Sequence, residues 1–335
     1  MSASLSNRVG VALIGPGRIA TAHLAAVGAG KDIADLVAIA GLPEELKRTQ
    51  ELAARFGAAK SLTSTADVFK DPAIAAVIIT TGNHLHAPLA IEALNAGKHV
   101  LVEKPLTTST ADCDAMIAAA KSNNRILMSA QCRRYFKGAM TVRERIAELG
   151  RPLNVISILG VFSDQPKTNW WSSAKSTGGL ALGLNGPHVV DTMTWWIGSR
   201  PTRVYAQTQR YRQVWEGEDE ASLMISFEDG SMATGHVSLN MKHDINERVI
   251  VGPKGMMKLI NDRELWLNGE KIVEEPVTPY IDGDISFERQ FREFASAIRD
   301  GRQPLASAED VRPSVMVLEA ALESAARNQA VDLPQ

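Results

Sequence analysis

The sequence predicts an α/β protein of two domains: a doubly wound parallel half, followed by a half built on an antiparallel sheet. Three observations carry this. Over residues 1–130, short aliphatic runs alternate with amphipathic stretches, the pattern of strands buried on both faces by helices. Beyond them, apolar and polar residues alternate at period two, the pattern of strands with unlike faces. The 335 residues are 45% apolar and 22% charged, which suits packed cores rather than disorder and two domains of ordinary size.

The elements follow in order. Val9 to Ile14 reads as a buried strand, Arg18 to Val27 as a helix and Leu36 to Ala40 as a second strand. Pro43 to Phe56 is a helix, with Pro43 suited to its first turn. Ala75 to Ile79 and Lys98 to Leu101 are strands on either side of a helix over Ala87 to Asn95, which Gly97 ends. Thr110 to Ser122 is a helix and Ile126 to Ala130 a strand, so the domain break falls near residue 130 and the domains are 1–130 and 131–335. In the second half, Gly183 to Ile197 reads as a helix packed on a sheet. Ala221, Leu223, Ile225 and Phe227 alternate with Ser222, Met224 and Ser226, and Glu228-Asp229-Gly230 turns the chain into a second alternating strand to Asn240. The face carrying Met, Ser, Thr and His is too apolar for plain solvent surface, which suggests a subunit interface. Helices over Phe287 to Arg299 and Val311 to Arg327 close the chain.

Composition excludes several functions. With 36 basic and 38 acidic residues the net charge is -2, which gives no basic excess for nucleic acid. No run of like charges suggests a membrane surface, and the longest aliphatic stretch, Ala73 to Ile79, is too short to span a bilayer. The first ten residues lack an apolar signal core, and Cys113 and Cys132 give no disulfide framework. The expectation is a soluble, cytoplasmic protein with reduced thiols. His84, His86 and His99 lack metal-ligand spacing, so no metal is expected.

Gly15-Pro16-Gly17-Arg18-Ile19-Ala20 fits G-x-G-x-x-A between a strand and a helix. The first Gly allows the turn, the second lets backbone approach a pyrophosphate, and the small third residue lets helix and strand pack closely. The helix N-terminus then offers N–H groups to phosphates. This is a Rossmann dinucleotide site. The acidic residue that usually ends the second strand and binds the NAD ribose is replaced by Gly41, with Lys47 and Arg48 one turn into the next helix. Losing the carboxylate removes both a preference for NAD and a repulsion against a 2′-phosphate, so the reading leans slightly to NADP over NAD.

Downstream, Thr80-Thr81-Gly82-Asn83-His84-Leu85-His86-Ala87-Pro88 leads to Ala96-Gly97-Lys98-His99-Val100-Leu101-Val102-Glu103-Lys104-Pro105. Gly178-Gly179-Leu180 leads to Gly186-Pro187-His188-Val189-Val190-Asp191, and Val251-Gly252-Pro253-Lys254-Gly255 follows. With the Gly-rich start, the chain resembles the Gfo/Idh/MocA family of NAD(P)-dependent oxidoreductases over nearly its whole length. The resemblance implies a Rossmann domain, a second domain with an open, mostly antiparallel sheet, and homodimers or homotetramers joined through that sheet. It implies that Lys104 sits near nicotinamide and substrate and that His188 is the catalytic base. Thr80, Thr81, Asn83, His86 and Glu103 belong to its cofactor segments.

Chemistry agrees with these roles. Oxidising a secondary alcohol needs a base for the hydroxyl proton as hydride leaves the carbon, and His has the natural titration range. A Lys can hydrogen-bond the reacting oxygen and orient substrate. One departure stands out: where many family members carry an Asp four residues before the His, this chain has Leu184, followed by Asn185. Leu cannot orient an imidazole, and Asn can bond it without offsetting its charge. Asn169-Trp170-Trp171 offers either flat walls for a sugar ring or packing at a boundary. Arg133 and Arg134 follow the last Rossmann strand and can reach substrate, or form ion pairs between domains. The leading reading is an NAD(P)-dependent dehydrogenase or reductase acting on a ring hydroxyl or carbonyl of a sugar, glycoside or cyclitol. The alternatives are a redox-cycling lyase or glycosidase with tightly bound NAD, and a non-catalytic cofactor-sensing protein.

Overall fold

The structure is a computed structural model that describes residues 8–278 and 283–334. Residues 1–7, most of the stretch read as lacking a signal core, lie outside them. The first half runs β1 (Val9–Ile14), α1 (Ala20–Ala29), β2 (Ala34–Ala40), α2 (Leu46–Phe56), β3 (Lys60–Leu62), α3 (Thr65–Lys70), β4 (Ala76–Ile79), α4 (His86–Asn95), β5 (His99–Glu103), α5 (Thr110–Ser122) and β6 (Leu127–Ala130). Its six strands are all parallel, in the order β3-β2-β1-β4-β5-β6. β1 and β4 are neighbours although β2 and β3 lie between them in the chain. Strand order therefore reverses there, which is where doubly wound sheets place ligands. Only β3 and α3 went unread, because Lys-Ser-Leu is too short and polar to show a buried run.

The second half continues with α6 (Lys137–Arg145), β7 (Asn154–Phe162), α7 (Ala174–Thr177), α8 (Ala181–Leu184), α9 (Gly186–Ile197), β8 (Pro201–Gln209), β9 (Glu220–Phe227), β10 (Met232–Ser238), β11 (Asn240–Gly252), β12 (Gly255–Ile260), β13 (Glu264–Leu267), β14 (Glu270–Glu274), α10 (Ile285–Asp300), α11 (Ala308–Arg327) and β15 (Val331–Asp332). The sheet order is β14-β13-β12-β11-β7-β10-β9-β8-β15. β7 and β10 pair in parallel, and the other neighbours are antiparallel. Ala221, Leu223, Ile225 and Phe227 are buried against helices, while Met224 and Met232 are about half exposed on the opposite face. Ile156, Val251 and Met256 are also exposed.

Packing does not simply follow chain order. Phe287, Phe291 and Phe294 of α10 join the core of the parallel sheet, and the Phe287 ring stands edge-on to His23 of α1 at 5.1 Å. α11 joins both cores, through Val311 and Val315 in one and Val317 and Ala321 in the other. The two halves are therefore clamped by the last helices. Cys113 and Cys132 are buried thiols that are not joined in a disulfide. Among the described residues, no helix is long and apolar enough to cross a membrane.

If α10 belongs to the first core, Phe291→Ala costs about 3–5 kcal/mol of stability. Urea denaturation checks this, and a loss below about 1 kcal/mol contradicts the packing.

Candidate functional site

The site lies along the carboxyl ends of β1, β4, β5 and β6. Gly15 leaves β1 with φ +100, a conformation that suits glycine, and its N–H donates to Ala40 O at 2.9 Å. A Cβ there would meet Thr81 Cγ2 at 2.9 Å and Thr80 O at 3.0 Å. Thr80 Oγ1 donates to Gly15 O at 2.7 Å, tying the first loop to the end of β4. Above Gly17 the space is open: the nearest atom to a Cβ is Thr80 O at 3.9 Å. Arg18 is exposed, Ile19 half-buried and Ala20 fully buried against the sheet. No side chain caps the N-terminus of α1. The Thr81 hydroxyl is buried with no hydrogen-bond partner among the described residues. An open glycine backbone, an uncapped helix start and an orphaned hydroxyl fit a dinucleotide's phosphates.

Gly41 has a steric reason. A Cβ there would lie 2.8 Å from Pro16 Cγ and 2.9 Å from Thr49 Oγ1. The nearby carboxylate of Glu45 accepts from Leu42 N–H at 2.8 Å, and Lys47 and Arg48 are exposed.

Lys104 follows β5, and its ammonium donates to Leu184 O at 2.8 Å across the join of the two halves. Burial pushes its pKa down from the ordinary value, and the Glu103 charge opposes that. The Leu184 side chain packs into the second core, so this position offers the site its carbonyl. His188, in the first turn of α9, is buried, and its N–H donates to Asn185 O at 3.1 Å. Its Nδ1 has no partner among the described residues, so Asn185, half-buried at the helix start, does not bond the imidazole there. Burial pushes the His188 pKa well below the ordinary range, helped by the charges of Arg133, Lys104 and Arg248.

Three residues expected to hold cofactor hydrogen-bond the protein itself. Glu103 accepts from His23 Nε2 at 2.8 Å and from Lys104 N–H at 2.9 Å. Burial pushes its carboxyl up, but the hydrogen bond and charge of His23, with Lys104, hold it below the usual value. His86 is fully buried, with Nδ1 2.7 Å from Pro105 O and Nε2 3.2 Å from Thr81 O. Asn83 Nδ2 donates to Thr177 O at 2.9 Å, latching the two halves. The substrate role expected of Arg134 is corrected outright. Its side chain is fully buried, its Nε and Nη2 bind both oxygens of Asp191 at 2.8 and 2.7 Å, and its Nη1 binds Leu305 O and Asp310. It is an interior ion pair.

Trp170 and Trp171 are half-buried, their rings 6.3 Å apart and edge-to-face. Trp170 Cδ2 lies 3.3 Å from where a Cβ of Gly82 would be, which sets the indole against the loop after β4. Lys167 Nζ stands 5.9 Å from the Trp171 ring. Trp195 and Trp196 are core residues.

Sequence reasoning missed Arg248 and Asp262. Arg248 is fully buried on β11 beside Ile250, in the register that faces the helices, and its guanidinium binds Asp262. The signal was parity: a charge at an inward position of an alternating strand. Among the described residues, no three His, Cys, Asp or Glu side chains gather as a metal-ligand set.

Residues 9–131 match the Gfo/Idh/MocA oxidoreductase family, NAD-binding Rossmann fold, and residues 139–258 match its C-terminal domain. The chain is 27% identical to 4-carboxy-2-hydroxymuconate-6-semialdehyde dehydrogenase of a Sphingobium species, over 92% of this chain and 96% of that protein. It is 25% identical to myo-inositol 2-dehydrogenase of Thermotoga maritima, over 98% and 99%. A solved structure of levoglucosan dehydrogenase in complex with NADH and L-sorbose superposes with TM-score 0.88 at 26% identity, covering 98% of this chain and 100% of that one.

Because Pro16 and Thr49 fill the space beside Gly41, Gly41→Asp destabilises the protein by about 1–3 kcal/mol, read by thermal melting. A variant as stable as the parent contradicts the steric account.

Proposed function

The chain belongs to the Gfo/Idh/MocA family of oxidoreductases, and from that premise we propose that it transfers hydride between a nicotinamide dinucleotide and a ring hydroxyl or carbonyl of a sugar, glycoside or cyclitol. The observation that carries this is the contact of Lys104 with the turn just before His188. Lys104 leaves the parallel sheet beside the dinucleotide loop, and its ammonium is drawn to the turn that opens the His188 helix.

When bound, the nicotinamide ring accepts or returns the hydride. The chain supplies the rest. His188 takes the hydroxyl proton during oxidation and returns one during reduction. Its surroundings hold the imidazole neutral, which is the state a base needs. Lys104 donates a hydrogen bond to the reacting oxygen and steadies its developing charge. Gly15, Gly17, Arg18, Ile19, Ala20, Thr80 and Thr81 form the dinucleotide loop, with Glu103, His86 and Asn83 fixing the shape behind it. Trp170 and Trp171 form a flat wall on the substrate side, and Asn185 adds an amide.

We favour NADP slightly over NAD. Nothing acidic stands at Gly41, Glu45 is turned to its own cap, and Lys47 and Arg48 are exposed nearby. The open face of the second sheet, with Met224, Met232 and Ile156 exposed, supports homodimers or homotetramers joined through it.

The test is absorbance of the reduced nicotinamide during turnover, with NAD and NADP, over a panel of sugars and cyclitols. Net reduction or oxidation of added cofactor is expected. His188→Asn lowers kcat by about 10²–10⁴-fold. Lys104→Met lowers kcat and raises KM. Bond cleavage without net redox change, or cofactor binding without turnover of any ring alcohol, contradicts the proposal.

A further inference from the structure

The turn that leads into α9 is gripped from the first half on successive carbonyls. Asn83, in the loop beyond β4, is buried, and its Nδ2 donates to Thr177 O at 2.9 Å and to Gly183 O at 3.4 Å. Lys104, beyond β5, donates to the next carbonyl, Leu184 O, at 2.8 Å. A side-chain amide carries two N–H groups, so one Asn serves both of its carbonyls. Those carbonyls stand together because the segment between them folds back on itself. Gly178 and Gly179 turn it with φ +75 and +84, and a Cβ on Gly183 would lie 2.1 Å from Thr177 O. Asn83 therefore closes the loop of residues 177–183 at its neck.

The reacting helix hangs from this neck. Leu184 N–H donates to Leu180 O at 2.8 Å, Asn185 N–H to Ala181 O at 2.9 Å, and His188 N–H to Asn185 O at 3.1 Å. The turn thus passes its position to His188 through a short run of main-chain bonds. The other end of the contact is the dinucleotide loop. Thr80 Oγ1 donates to Gly15 O at 2.7 Å, and Leu85 N–H donates to Gly82 O at 2.9 Å, which fixes the tight turn on which Asn83 stands.

We propose that Asn83 is a positioning residue for hydride transfer, which clasps the turn before α9 and so sets the distance from the dinucleotide loop to His188. The proposal rests on the reaction read above and adds a residue to it. Transfer requires the reacting atoms to be aligned about 3–3.5 Å apart. One partner is held by the first half and the other by the second, so bonds across the join set that separation. Lys104 is a poor spacer by itself, because its ammonium also serves the reacting oxygen. The Asn83 amide is committed to main-chain carbonyls, so it holds the turn while Lys104 attends to substrate.

The test uses Asn83→Ala, which removes both donors, and Asn83→Ser, which keeps a hydroxyl and suits the start of a turn. The Ser variant carries the test if the Ala variant does not fold. Hydrogen exchange read by mass spectrometry reports the clasp without any substrate. Peptides over residues 178–190 are expected to exchange about tenfold faster in the variants, with peptides of α5 and β6 unchanged. Unchanged exchange over 178–190 overturns the clasp. Kinetics report the positioning, with the ring alcohol that the parent oxidises fastest, in ordinary and C-deuterated form. The expected kcat falls about 10–100-fold, while NADH or NADPH affinity, read by nicotinamide fluorescence, stays within about threefold. The primary isotope effect on kcat is expected to be at least as large as the parent's, since the step slowed is hydride transfer. A kcat within about threefold of the parent's, or a smaller isotope effect, overturns the positioning role. So does a loss of activity that matches the fraction of protein unfolded. A loss of dinucleotide affinity as large as the loss in kcat overturns it too, and makes Asn83 a cofactor ligand. A parent that oxidises no ring alcohol refutes the reaction instead, and the clasp then stands or falls on exchange.

Discussion

The hydrogen bond from Lys104 Nζ to Leu184 O, 2.8 Å across the join of the two halves, sets the geometry on which the rest of the site depends. An ammonium carried out of water needs acceptors. Here one is a main-chain carbonyl, which aims the side chain without neutralising it. The carbonyl is itself held from behind. Glu218 accepts from Leu180 N–H at 2.9 Å and Leu182 N–H at 2.8 Å, fixing the turn that delivers Leu184. On the other side Glu103 accepts the Lys104 N–H, and His23 braces Glu103. Asn83 adds a latch to Thr177 O. Both ends of the contact are thus anchored by buried polar groups, one set in each half. Such networks are rigid when satisfied.

Electrostatics follows from that geometry. With a carbonyl in place of a carboxylate, nothing at position 184 offsets the cations around His188. Burial works against an imidazolium, and the charges of Arg133, Lys104 and Arg248 work in the same direction. The consequence is a neutral, ready acceptor that holds a proton weakly. In the proposed reaction, a proton that His188 takes from substrate is therefore held weakly and passed on.

Much of this was legible in the sequence because the signals are local. The G-x-G-x-x-A turn, the aliphatic parallel strands and the Glu-Lys-Pro end of β5 are each fixed by neighbours within a few residues. Lys104 and His188 are singled out instead by the family resemblance of their segments. What could not be read depends on contacts between distant segments. Arg134 and Arg133 are adjacent in sequence, yet one turns inward to Asp191 and the other to Asp262, and nothing local distinguishes them. Arg248 stood in plain view as a charge at an inward strand position, but its partner Asp262 sits in a turn after the next strand. The polar strand β8, and the docking of the α10 helix back on the first core, are likewise set by packing partners far along the chain. Gly41 was read as a missing acid, and the structure adds that Pro16 and Thr49 leave no room for one.

His188 is held neutral by its burial and by a surrounding of cations that no carboxylate at position 184 offsets. Nitrogen-detected NMR titration of the histidine side chains, with His188 assigned from the spectrum of His188→Asn, addresses it directly. The account predicts that His188 stays neutral well below pH 6.5, the ordinary midpoint for histidine. A midpoint at or above 6.5 would show that the imidazolium has a stabilising partner, and would contradict the account.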